Sequence, residues 1–297
     1  MKRMFLVLCL TLCAQFPAHA QDFDKVEIKT IKVTENIYML EGEGGNIGVG
    51  LGADAVFVID DQFAPLSAKI KAAIAALTDK PVRFIFNTHW HFDHTGGNQN
   101  FGEGGALNIA HDNVRKRMSA DNFIEAFKMK VPASPAIALP VVTFTDAVTF
   151  HINGDTLNAF HVAPAHTDGD AVIHFHKANV IHMGDLYFSE GYPFIDLSSG
   201  GSVKGMVAGA DRVLALANDS SKIIPGHGSL SDKKRLKVYR DMIAELQKRI
   251  AALAKSGKSL QEVIAAKPSA DFDAKWGQGF VKPDMFVEVL YKDSVRK

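Results

Sequence analysis

The run NTHWHFDHTGG, residues 87–97, places three imidazoles and a carboxylate within the six positions from His89 to His94. Core packing has little use for that density of ligating side chains, so the chain must fold around something these groups hold. The preceding residues, VRFIFN, read as a strand. His89 and His91 are two apart on extended backbone, project to the same side and can share one ion. Asp93 and His94 lie where the chain leaves the strand and can turn toward a second ion. A pair of histidines alone would be weak evidence. The full spacing H-x-H-x-D-H, followed by Thr95-Gly96-Gly97, is far more specific.

Composition narrows the metal. The only two cysteines, Cys9 and Cys13, fall in the leading twenty residues. There Lys2 and Arg3 precede an apolar run from Met4 to Phe16, and Ala18-His19-Ala20 forms an A-x-A site before Gln21. This is the plan of a secretory signal peptide, too short in its apolar core for a stable span. An uncleaved anchor and a lipoprotein are the rival readings, and Leu12 ahead of Cys13 argues against lipidation. The expectation is an exported, periplasmic protein comprising residues 21–297, with no thiolate to serve as ligand or nucleophile. Imidazole and carboxylate then suit zinc, with iron and manganese as alternatives. Without Lys2 and Arg3, 31 basic residues face 33 acidic ones, a net charge of −2. That balance argues for a small-molecule substrate rather than nucleic acid or an anionic membrane, and no downstream stretch reads as a membrane span.

Residues 26–60 read as four strands, and Pro65 to Thr78 as a helix with Ile70, Ala73, Ile74 and Leu77 on one side. Residues 111–130 read as an exposed, charged helix, followed by a surface crossing, VPASPAIALP. The theme then repeats: TFTDAVTFHI, TLNAFHVA, AVIHFHK and NVIHM are strands, residues 203–217 a helix, and KIIPGHG a strand ending in a glycine-flanked histidine. From about residue 232 to 297 the chain is helical. Leu236, Tyr239, Ile243, Leu246, Ile250 and Leu253 form an apolar stripe, and Ser259 with Glu262 a capping box. The pattern argues for one domain built from two similar halves. His151, His161, His174, His176 and His182 read as ordinary strand positions, and His111 as a helix start near the site mouth.

Over essentially its whole length beyond the leading segment, the chain resembles the metallo-β-lactamase superfamily. That family follows H-x-H-x-D-H with a histidine, an aspartate and a histidine, each at a strand end. Here His166 in PAHTDGD, Asp185 in HMGD and His227 in PGHG supply them in order. The resemblance implies an α+β fold, a four-layer αββα sandwich with the site along one edge of the sheets. It also implies two zinc ions, one on His89, His91 and His166, the other on Asp93, His94 and His227, with Asp185 bridging. Asp60, ending VFVID, would support the site from behind the ligands, and the glycine-rich turn at 42–45 would cover bound substrate. Asn98 either hydrogen-bonds near the motif or shapes its turn. Tyr187 either faces substrate or packs.

Zinc lowers the pKa of water from near 16 to about 7, so the implied activity is hydrolysis of a β-lactam, ester, thioester or lactone. Asp93 and Asp185 are the catalytic carboxylates, Asp93 orienting the nucleophile and Asp185 holding the ions at a fixed spacing. Export and the segments HTDGDAVIHF, GGSVKGMVAGADRVL and KIIPGHGSLSD favour β-lactams. Asp185 in place of a cysteine ligand, and Phe188 in place of a carboxylate-binding lysine, favour a thioester or lactone hydrolase related to glyoxalase II. A periplasmic zinc-binding factor without activity is the non-enzyme alternative.

Overall fold

The structure is a computed structural model that describes residues 22–296. The proposed signal peptide, and Gln21 behind its cleavage site, lie outside these residues. The chain enters an antiparallel meander of β1 (Lys29–Lys32), β2 (Ile37–Glu41), β3 (Ile47–Gly50) and β4 (Val56–Ile59). Helix α1 (Ser67–Ala75) then returns it to β5 (Val82–Phe86), parallel to β4. Short helices α2 (Phe92–Thr95) and α3 (Asn98–Glu103) lead to a parallel β6 (Leu107–His111). After α4 (Asp112–Met118) comes a hairpin of β7 (Asn122–Ile124) and β8 (Met129–Val131), and β9 (Val142–Phe144) completes a seven-stranded sheet beside β6.

The second sheet has six strands. β10 (Ala147–Ile152), β11 (Asp155–His161), β12 (Ala171–Phe175) and β13 (Val180–His182) form an antiparallel meander. Helix α5 (Val203–Leu216) crosses to β14 (Lys222–Ile224), parallel to β13, and β15 (Ser231–Asp232) closes the edge. Four helices end the chain: α6 (Lys233–Lys255), α7 (Leu260–Ala265), α8 (Ala270–Trp276) and α9 (Pro283–Val295).

Side-chain alternation sorts these elements into layers. On β4, Phe57 and Ile59 join Leu157, Ile173 and Phe175 of the other sheet in the sandwich core. Val56 and Val58 point the other way, toward Leu66, Ile70 and Ile74 beneath α1. The outer face of the second sheet, with Phe160, Val172 and Ile181, packs on Met206 and Val213 of α5 and on the α6 stripe. Both faces of the central strands are thus buried, which explains their unbroken apolar sequence. The layers are helix, sheet, sheet and helix, the expected αββα sandwich.

Local signals set several boundaries. Asp232 caps α6 through the Arg235 N–H, and the capping box of Ser259 and Glu262 starts α7. Leu236, Tyr239, Ile243, Leu246 and Ile250 are buried as the stripe requires. No helix among the described residues is long and apolar enough to cross a membrane.

Two expectations fail. The helix expected over 111–130 stops at Met118 and gives way to the β7–β8 hairpin. The Asn122 side chain donates to the carbonyls of Arg117 and Ala120, ending the helix, and Lys128 turns the hairpin at φ 49°. TFTDAVTFHI is also not one strand. β9 belongs to the first sheet and β10 to the second, so this stretch carries the chain between them.

Candidate metal centre

Neighbouring parallel strands build the floor of the site. β4 and β5 end side by side, bringing Asp60 to Thr88. The Thr88 N–H and hydroxyl donate to Asp60 Oδ1 and Oδ2, each at 2.7 Å. Asp60 adopts φ 61° and Gln62 φ 55°, left-handed backbone that a non-glycine residue keeps only where the surroundings enforce it. Asp60 Oδ2 also accepts from His94 Nδ1 at 2.8 Å, so it does stand behind a candidate ligand. Asn87 and Asn98 exchange side-chain hydrogen bonds at 3.0 and 2.9 Å, and Asn98 also donates to the Ala138 carbonyl. Its role is to brace the motif turn.

The second sheet brings the remaining residues. His166 follows β11, and Asp170 accepts from the backbone N–H of both His166 and Thr167, fixing the loop. Asp185 sits in a tight turn after β13, and His227 in the turn after β14. Gly226 is required beside it, because a Cβ there would lie 2.1 Å from Asp185 Oδ1. Gly45, in the glycine-rich turn, is equally constrained: its Cβ would lie 2.1 Å from His94 Cε1. That turn is tied down at its base rather than free. Gly45 N–H donates to the Asp93 carbonyl, and Gln62 Nε2 to the Gly45 carbonyl. Asn46 donates to the carbonyls of Pro225 and Gly228, at 3.0 and 2.8 Å, bracketing His227 from the opposite sheet.

All seven residues singled out in the sequence converge. His89, His91 and His166 form one triad, and Asp93, His94 and His227 another; Asp185 groups with His89 and His94 between them. Within each group the ligating atoms lie within 4.8 Å of one another. Asp185 Oδ1 is 3.0 Å from His94 Nε2 and 3.3 Å from His227 Nε2, while its Oδ2 is 3.5 Å from His166 Nε2.

Hydrogen bonding shows how well these residues suit metal. A neutral imidazole has one N–H and one lone pair, and its partners decide which nitrogen carries which. His94 Nδ1 donates to Asp60, His166 Nδ1 to the Phe194 carbonyl at 2.8 Å, and His91 Nε2 to Asp196 Oδ2 at 3.1 Å. Thr88 Oγ1, already donating to Asp60, is left to accept from His89 Nδ1 at 3.0 Å. The remaining nitrogens of His89, His91 and His166 therefore turn lone pairs inward, while at His94 the carboxylates of Asp185, Asp93 and Asp60 outweigh burial and hold the pKa well above its ordinary value. His91 Nδ1 and His166 Nε2 face one another at 2.9 Å, and buried His89 Nε2 has no hydrogen-bond partner among the described residues. Lone pairs so arranged repel unless a cation lies between them. Tethered outer nitrogens with free inner ones are the pattern of metal-binding histidines.

Charge points the same way. Burial pushes the His89 pKa well below its ordinary value and that of His166 down to about 4, keeping both rings neutral and able to ligate. Burial also disfavours a proton on His227, yet the carboxylates of Asp185 and Asp93 hold its pKa up at about 9. Burial alone would raise Asp93, but His94 and His227 bring it down to about 2. The carboxylates thus draw positive charge into the second triad.

Sequence and structural comparisons agree with this geometry. The description "Metallo-beta-lactamase superfamily" matches residues 32–227, spanning the motif and all seven converging residues. The chain belongs to the metallo-beta-lactamase superfamily. Superfamily members are metal-dependent hydrolases, typically with two ions. The lactamase-like protein aptB of Emericella nidulans is 25% identical over 200 residues, covering 64% of this chain and 56% of that protein. The chain therefore spans little more than half the length of that curated relative. Among solved structures, the inverting sec-alkylsulfatase Pisa1 from Pseudomonas sp. superposes with a TM-score of 0.71 at 18% identity, over 90% of this chain and 50% of the sulfatase. A metallo-beta-lactamase from Pontibacter korlensis superposes with a TM-score of 0.61 at 16% identity, over 73% of this chain and 99% of the lactamase.

Sequence reasoning missed Asn46, Asp170 and Asp196. Asp196 precedes Leu197-Ser198-Ser199 and accepts from Ser198 and Ser199 as a helix cap does, a pattern visible in sequence; its reach to His91 was not. Tyr187 proves to be packing: it is fully buried, hydrogen-bonded to Ser231 at 2.6 Å and set against Tyr239. Phe188 stacks on His227 at 5.0 Å and 16°. His111 caps α4 and stacks on His161 at 3.8 Å, outside the triads. His182 donates to the Asn46 carbonyl at 3.1 Å. A cavity of about 270 Å³ lined by Phe57, Leu157 and Phe175 lies among other residues and contains none of the seven.

Proposed function

We propose that the protein is an exported, periplasmic dizinc hydrolase that cleaves small carbonyl substrates with water, β-lactams among them. The observation that carries this reading is the convergence of inward lone pairs from tethered histidines around the Asp185 carboxylate. Imidazole and carboxylate donors suit zinc, with His89, His91 and His166 holding one ion, Asp93, His94 and His227 the other, and Asp185 between them. When bound, the ions supply Lewis acidity toward a carbonyl oxygen and bring the pKa of water from near 16 to about 7.

The chain's own residues do the rest. Asp93, ionised and with its side chain 23% exposed at the centre, accepts a hydrogen bond from the attacking water and aims it at the carbonyl carbon. Asp60, Asp196 and the Phe194 carbonyl hold three of the histidine rings against rotation. Phe188 and Phe194, both mostly buried, exclude bulk water from this side. The water oxygen bonds to the carbonyl carbon and the bond to the leaving heteroatom breaks. The water proton ends on that heteroatom.

A second reading, a lactone or thioester as the principal substrate, is favoured by Phe188. An aromatic ring stacked on His227 offers no charge to the carboxylate of a bicyclic β-lactam. Turnover of nitrocefin, a short thioester, a lactone and a secondary alkyl sulfate, with metal content measured on the same sample, decides among these. Two zinc ions per chain with loss of turnover on chelation is the expected result. Zinc without turnover of any of the four would leave the non-catalytic binding factor, and sulfate cleavage alone would displace the carbonyl reading.

A further inference from the structure

A line of aromatic rings runs from the candidate ligands to solvent. Phe194 lies 5.9 Å from the rings of both His91 and His166, and its own carbonyl accepts the His166 Nδ1 proton. Phe127 follows at 4.7 Å from Phe194, and Phe280 at 5.6 Å from Phe127. Exposure rises along the line, from 7% at Phe194 to 36% at Phe127 and 74% at Phe280.

Three distant parts of the chain supply these rings. Phe127 sits at the tip of the β7–β8 hairpin, Phe194 in the loop after β13, and Phe280 between α8 and α9. The last two segments are joined through backbone. Tyr192 N–H donates to the Trp276 carbonyl at 2.8 Å, and Tyr192 pairs with Val281 in an isolated bridge. Tyr192 also stacks on Phe286 of α9 at 4.6 Å. The C-terminal helices thereby hold Phe280 in place over the loop that carries Phe194.

We infer that the Phe194–Phe127–Phe280 line is a specificity wall that binds an uncharged apolar chain, acyl or alkyl, on the substrate. Contiguous exposed apolar surface marks a binding site more often than it persists for its own sake. The occupant is the substrate because the inner end of the line touches two candidate ligands and its outer end opens to water. Rings attract apolar chains without regard to charge, and each buried methylene contributes up to about fourfold in binding. This inference rests on the hydrolase reading and gives the C-terminal helices a part in substrate choice.

The test uses p-nitrophenyl esters from acetyl to octanoyl with the zinc-loaded protein, and the double variant Phe127→Ala/Phe280→Ala. In the wild type, kcat/KM rises about two- to fourfold per methylene. In the variant the octanoyl-to-acetyl ratio falls by about tenfold or more. Calorimetry with butyrate and octanoate on the same two proteins reads the wall without turnover. Ester hydrolysis with no chain-length dependence overturns the wall and leaves the hydrolase. Tighter binding of octanoate, lost in the variant but without turnover of any ester, supports the wall and removes the carbonyl-hydrolase reading. An equal loss on all chain lengths overturns the wall, since it marks a general disturbance of the site.

Discussion

Asp196 Oδ2 accepts the Nε2 proton of His91 at 3.1 Å, across 105 positions of sequence. The same carboxylate accepts from the N–H groups of Ser198 and Ser199. Burial would raise its pKa, but His91 and the side-chain hydroxyls of Ser198 and Ser199 hold it well below the ordinary carboxylate range. The ionised acceptor fixes the His91 tautomer and turns Nδ1 toward His166. Asp196→Asn keeps the shape while weakening the acceptor, and partners of this kind alter metal affinity by about 10- to 100-fold. Zinc affinity by chelator competition should fall by that amount. Unchanged affinity would remove Asp196 from the support of the site.

Asp185 and Tyr187 are two residues apart and differ completely in role. Asp185→Ala removes the carboxylate between the triads, so zinc content should drop by at least one ion per chain and turnover with it. Tyr187→Phe loses only the hydrogen bond to Ser231, worth about 1 kcal/mol of stability, and should keep both ions. Elemental analysis of the two variants separates the roles. Full zinc content in Asp185→Ala would refute the bridging assignment.

Phe188→Lys tests β-lactam recognition. A cation here would gain a charge-assisted hydrogen bond to the substrate carboxylate of about 1.5 to 3 kcal/mol. KM for a cephalosporin should fall by roughly four- to tenfold if about half of that survives desolvation, with a smaller change in kcat. In the wild type, β-lactam hydrolysis should be detectable and limited by a high KM. A wild-type KM already in the low micromolar range would contradict this account.

His182 gives a pH dependence. Burial lowers its pKa from 6.5 to about 4, and the neutral ring donates to Asn46 while accepting from the Gly184 N–H. Above pH 6.5 the ring is neutral folded and unfolded, and its contribution is complete. Below that, the unfolded chain takes up a proton that the folded chain refuses, so stability is lost as the pH falls from 6.5 through about 4. The loss is about 3 kcal/mol. In metal-stripped protein, the urea stability difference between pH 7 and pH 4 should shrink by about that amount in His182→Gln. An identical difference in both proteins would argue against it.

What could be read in the sequence follows from range. The α6 stripe, the capping box at Ser259 and the strand ahead of His89 depend on neighbours within a few residues, and all three are present. Asp60 was legible through resemblance alone, because its partners Thr88 and His94 are 28 and 34 positions away. Residues 119–130 misled because their charges suit an exposed helix. The hairpin is held instead by distant contacts, Glu125 N–H to Ser198 Oγ at 3.3 Å and Phe127 to Phe194. Alternation of period two survives a change of sheet, so the step from β9 to β10 left no mark in TFTDAVTFHI.

The first sheet delivers His89, His91, Asp93 and His94, and the second delivers His166, Asp185 and His227. Any ion shared between them ties residues more than 70 positions apart, in a chain whose only cysteines precede Gln21. Such an ion would do for this protein what a disulfide does in a disulfide-bonded chain, closing long loops and restricting the unfolded ensemble. Unlike a disulfide it forms without an oxidant, only after the two sheets have met, and a chelator can undo it. Metal supply in the surrounding compartment would then set the lifetime of the fold as well as its chemistry.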